Sequence, residues 1–78
     1  MVILSVICPT KAAAQQARAV LIQYGVDMTQ VQEYESLEGD PPNTNIYLLI
    51  NYALSRHLSE QQIAQLDAEL RRSGSTTT

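Results

Sequence analysis

The sequence predicts an α+β domain of order βαββα, in which a three-stranded antiparallel sheet carries two helices on one face. Three stretches predict it. Asn45 to Leu54 puts Ile46, Leu48, Ile50, Tyr52 and Leu54 on one side of an extended chain and Tyr47, Leu49 and Ala53 on the other, so it is apolar on both sides, as a central strand is. Val2 to Cys8 is a second run rich in Val and Ile, interrupted only by Ser5 and bounded by Pro9. Leu58-Ser59-Glu60-Gln61-Gln62-Ile63 combines a capping serine, a glutamine three residues on that can bond back, and apolar residues at both staple positions, which is the signature of a helix start.

After the first strand, Thr10 is placed to cap a helix whose face Ala13, Ala17, Val20, Leu21 and Tyr24 keeps helical spacing, and Gly25 stands where a helix ends. Residues 26–35 read as an edge strand. Met28, Gln30, Gln32 and Tyr34 alternate with Thr29, Val31, Glu33 and Glu35, so neither side is continuously apolar, and charges on an edge discourage unwanted pairing. Leu37 to Thr44 reads as a loop, because Pro41-Pro42 cannot donate to a ladder and Gly39 can take positive φ. The last helix buries Ile63, Leu66 and Leu70, pairs Asp67 with Arg71 at i,i+4, and sets Arg71-Arg72 toward the negative end of its dipole. Residues 1–72 are thus expected to form one domain and 73–78 a flexible tail.

A right-handed crossover of the first helix and a hairpin through the proline loop give strand order 1-3-2. This element order resembles a ferredoxin-like sandwich lacking its last strand. Such a sheet leaves the first strand as an open apolar edge and one face bare, showing Tyr47 and Leu49 in one register or Leu48 and Ile50 in the other. Val2, Ile3, Leu4, Val6 and Ile7 are therefore expected to self-associate as a homodimer, unless a different protein or the Thr-rich tail covers them.

Composition sets limits on function. A chain of 78 residues with 45% hydrophobic residues, four Tyr and no Phe or Trp makes a thin core of Ile, Leu, Val and Ala. One cysteine and one histidine exclude an internal disulfide and the usual all-protein zinc sites, so no cofactor is expected, and a reducing cytoplasm fits. The N-terminal run lacks the basic region and length of a signal peptide, and no apolar stretch reaches the roughly 18 to 20 residues of a membrane span. No membrane contact is expected.

Net charge is −3, unevenly placed. Asp27, Glu33, Glu35, Glu38 and Asp40 occupy a segment with no Lys or Arg, while Lys11, Arg18, Arg56, Arg71 and Arg72 are scattered over the rest. That distribution disfavours direct contact with nucleic acid, which needs a basic stripe to displace counterions from phosphates. It suits a basic protein partner, with Glu33, Glu35, Glu38 and Asp40 as the contacting residues.

Individual residues give weak chemistry. Cys8 stands at the start of the first helix, where a thiol can be activated, but a free cysteine is most often a small buried residue. His57 reads as a loop histidine, and nothing in the sequence places it beside Cys8. The acidic segment lacks the ligand pattern of a calcium loop, and Cys8-Pro9-Thr10-Lys11 lacks the glycines of a phosphate loop. The sequence therefore leads to a non-enzymatic regulator, adaptor or inhibitor that binds a basic protein, such as a phage or mobile-element inhibitor of a nucleic-acid-handling complex. The alternatives are a small-molecule-sensing dimer of the ACT-like kind and a small enzyme using Cys8.

Overall fold

The computed structural model describes residues 2–39 and 43–78, with Glu38 described in its backbone alone. Of the loop predicted at Leu37–Thr44, residues 40–42 lie outside the described residues, Gly39 takes φ 86°, and Leu37, Glu38, Asn43 and Thr44 are strand instead. The elements are β1 (Ser5–Cys8), α1 (Lys11–Gln23), β2 (Val31–Glu38), β3 (Asn43–Ile50), α2 (Glu60–Arg72) and β4 (Thr76–Thr77), with short 3-10 turns at Met28–Gln30 and Leu54–Arg56. All strand pairs are antiparallel, in the order β2-β3-β1-β4. The α+β class and the interior position of the strand expected at 45–54 hold, but that strand runs Asn43–Ile50 with Leu54 already in a 3-10 turn, and the first strand is Ser5–Cys8 rather than Val2–Cys8.

The expected three-stranded sheet needs correction. Residues of the supposed tail form β4, which takes the far edge of β1 and makes the sheet four-stranded. The cause is local. Ser73 caps α2, and Gly74 at φ 98° lets the Gly74 and Ser75 amides bond back to the Arg71 and Leu70 carbonyls, 3.1 Å each. This reverses the chain and delivers β-branched threonines to β1, where Thr78 N donates to Ser5 O at 2.9 Å and Leu4 N to Thr78 O at 2.6 Å.

α1 begins and ends as its residues require. Thr10 Oγ1 accepts from Ala13 N at 3.0 Å, and beyond Tyr24, Gly25 at φ 79° allows its amide to reach Ile22 O and that of Val26 to reach Leu21 O. Ala13, Ala14, Ala17 and Leu21 are buried, so small residues bring the first turns close to the sheet. α2 starts with the expected capping box, Gln62 N donating to Ser59 Oγ at 3.2 Å and Ser59 N to Gln62 Oε1 at 2.9 Å. Leu58 and Ile63 are both buried, and Leu66 and Leu70 are fully enclosed.

A second difference lies between α1 and β2. Val26 to Gln30 is not strand: Val26 is buried in the core, and Asp27 caps a 3-10 turn by accepting from Thr29 N at 3.0 Å. Short polar side chains that bond their own backbone favour turns over ladders, and Asp27-Met28-Thr29 offers two of them. β2 therefore starts five residues later than expected and runs to Glu38, into the predicted loop.

The core lies between the helices and one sheet face. Val6, Cys8, Ile46, Leu48 and Ile50 point into it and meet Ala17, Leu21, Ile63, Leu66 and Leu70. Alternation then sends Ser5, Ile7, Tyr47 and Leu49 to the opposite face, which no helix covers among the described residues.

Candidate functional site

Two surfaces and one cleft stand out. The bare sheet face is built from the residues that alternate with the core positions of each strand. Cross-strand partners share a face, so the register groups Ile7 with Tyr47, Leu49 with Gln32, and Tyr34 with Tyr47. Ser36, Asn45 and Thr76 complete the same side. None of these residues is charged, and the register continues this side to the Glu38–Asn43 pair at its far end. Tyr34 and Tyr47 stack at 5.2 Å between centroids, and Tyr34 remains 46% exposed.

The second surface is the outer side of β2, the last strand of the sheet. Glu33 pairs with Leu48 and Glu35 with Ile46, so both carboxylates lie on the helix-side face, where α1 stops short of the edge. A shallow groove of about 260 Å³ separates them from α1 and is bordered by Lys11, Gln15 and Arg18. Arg18 Nη1 donates to Glu33 Oε1 at 3.3 Å across it, and both side chains are exposed.

The five acidic residues of the segment thus have different situations. Asp27 is engaged in its own turn, where bonds from the Thr29 hydroxyl, the Gln30 amide and the Thr29 backbone hold its carboxyl below the usual range. Glu33 faces Arg18, and Glu35 makes no ion pair among the described residues. The Glu38 side chain and Asp40 lie outside the described residues.

The expected self-association set divides in the same way. Ile3 at 4% and Val6 at 0% exposure belong to the core, and the edge they were to offer is occupied by β4, so the first strand is not an open edge. Val2 at 75% and Leu4 at 59% remain exposed, and Ile7 is half-buried on the bare face. The tail, one of three candidates for covering this strand, is what covers it.

A cleft of about 310 Å³ opens where β1 begins and β3 ends, lined by Ile3, Leu4, Ile50, Tyr52, Leu54 and Ile63 among others. Beside it, Tyr52 does what the sequence could not announce. Its hydroxyl accepts from Asp27 N at 3.0 Å and lies 2.8 Å from His57 Nε2, with the two rings stacked at 5.7 Å. One side chain thereby joins the turn before β2 to the loop before α2.

Cys8 is fully buried. Burial pushes its thiol up, with the neighbouring Ser75 hydroxyl acting in the opposite sense and the Glu33 charge adding to the rise. Ser75 Oγ is itself buried, without a hydrogen-bond partner among the described residues. His57 Nε2 is engaged with the Tyr52 hydroxyl at 2.8 Å. Among the described residues no group of His, Cys, Asp and Glu has the arrangement of a metal site, and no helix is long and apolar enough to cross a membrane.

Compared with family models, with curated proteins and with solved structures, the chain matches none.

Proposed function

We propose that the chain is a non-enzymatic protein-interaction module that pairs with a second copy through its bare sheet face and keeps the β2 edge for a basic partner. The observation that supports this reading is the uncharged middle of that face, where Ile7, Tyr34, Tyr47 and Leu49 share one side of the sheet. The remaining surface of an acidic protein repels its own copy, whereas the middle of this face meets its copy without like charges. A basic partner finds nothing to pair with in the middle of the face, where Ile7, Tyr47 and Leu49 lie, which directs it to β2 instead. A standard interface takes about 800 Å² from each partner, roughly one sixth of the 4811 Å² the chain exposes.

The test is a charge placed in the middle of the face. Leu49→Lys leaves the core untouched, since Leu49 alternates with the buried Leu48 and Ile50, and is expected to shift the protein to monomer in light scattering at tens of micromolar. An unchanged mass for Leu49→Lys and for Ile7→Lys excludes the face as the contact.

One observation favours the ACT-like reading of a small-molecule-sensing dimer, namely the apolar cleft beside Ile3 and Ile63. A rise in melting temperature with aliphatic amino acids, lost in Leu54→Glu, supports it, and no shift with any of them excludes it.

A further inference from the structure

We infer that the outer edge of β2 receives an extended basic segment of another protein as a fifth strand, an inference that rests on the reading of β2 as the side that meets a basic partner. Asn51 N donates to Gln30 O at 2.9 Å, and the β2–β3 register continues that pair as Gln32 with Leu49, Tyr34 with Tyr47 and Ser36 with Asn45. In an antiparallel ladder hydrogen-bonded and non-bonded pairs alternate, so these pairs exchange the bonds between the strands. Ile50 N, on the alternate set, bonds Leu4 O on β1, as that parity requires.

The N–H groups of Val31, Glu33, Glu35 and Leu37 therefore point away from β3. That of Val31 closes the preceding 3-10 turn on Met28 O, which leaves Glu33, Glu35 and Leu37 presenting a row of donors and carbonyls at the rim of the sheet. Such a row is the template for strand addition, in which main-chain bonds supply affinity and alternate side chains supply selectivity.

Charge selects the occupant. A second copy is a poor one, because an antiparallel pair of β2 strands centred on Tyr34 sets Glu33 directly opposite Glu35 twice, and like charges in facing positions repel. The same positions favour Lys or Arg on every second residue of an incoming strand. The groove behind Glu33 and Glu35 has room for the aliphatic stem of such a residue, with Glu35 as the unpaired carboxylate and Arg18 already bound to Glu33. An exposed Tyr34 on the other face offers a flat apolar contact to the residues between.

The experiment uses the whole chain and an eight-residue capped peptide of alternating Lys and Val, followed by NMR titration and amide exchange. In the unbound chain the amides of Glu33, Glu35 and Leu37 exchange fast and those of Gln32, Tyr34 and Ser36 slowly. Addition of the peptide is expected to protect the first set. Two peptides N-methylated on alternate residues separate the possibilities: methylation of the set facing β2 should weaken binding about tenfold or more, and methylation of the other set much less, since only one parity of amides enters the new ladder. Equal binding of both methylated peptides overturns strand addition while leaving a basic partner in place. No binding of the unmethylated peptide at millimolar concentration, or binding unaltered in Glu35→Lys, overturns the reading beneath it.

Discussion

Tyr34 and Tyr47 face each other across the β2–β3 pair with their rings parallel to within 7° and 5.2 Å apart, on the side of the sheet opposite the core. The stack couples the outermost strand to the central one where no helix helps. Cross-strand aromatic pairs contribute about 0.5–1.5 kcal/mol beyond the area they cover, so a double-mutant cycle with Tyr34→Ala and Tyr47→Ala should return a coupling in that range. Simple additivity of the two losses in urea unfolding shows that the rings are neighbours without being partners.

A different element tests how β4 is held. Gly74 adopts φ 98°, and a Cβ there meets nothing within 4 Å, so Gly74→Ala is opposed by backbone strain alone. The expected loss is about 1–2 kcal/mol in chemical denaturation, accompanied by faster amide exchange at Thr78, whose N–H bonds Ser5 O. A neutral substitution contradicts the role given to this turn.

Acid should loosen the same strand. The Thr77 hydroxyl donates to Asp67, and Arg71 Nε lies 3.1 Å from the same carboxylate, which together hold that carboxyl below its usual range despite partial burial. A group whose pKa is lowered by folding contributes stability that is present above the unfolded value, near 3.9, and is lost as pH falls through the folded one. Amide exchange at Thr78, corrected for its intrinsic pH dependence, should therefore accelerate below about pH 4, and Asp67→Asn should remove that acid step. An identical acid profile in the variant excludes Asp67 as its origin.

Much of this architecture is readable from local rules. The Ser59–Gln62 box, the Thr10 cap, the glycine after Tyr24 and the two-sided apolar strand at 46–50 are each determined within a few residues, and each appears where its residues put it. β4 was hidden for the opposite reason. Two threonines carry no period, and their strand exists because Gly74 turns them onto a β1 edge that only the folded sheet creates. The surfaces behave similarly. Alternation divides β3 into core and bare sides without saying which is which, and the acidic run does not reveal that Asp27 serves its own turn or that Arg18 crosses to Glu33. The Tyr52–His57 contact links residues five apart through loop geometry, which no periodic pattern reports.

Cys8 gives a kinetic prediction. A thiol with no exposure and a raised pKa reacts only when the chain opens, so its alkylation at neutral pH should match the opening rate or equilibrium found by amide exchange in the core. Rapid modification of the native protein contradicts the buried position and revives a catalytic role for this residue.

The pairing of bare sheet faces is tested most directly by sedimentation equilibrium of the full chain across a dilution series from hundreds of micromolar to below one micromolar. A single monomer–dimer equilibrium is expected for the native chain and a monomer throughout for Leu49→Lys. A native chain that sediments as an 8.6 kDa monomer at every concentration contradicts the pairing.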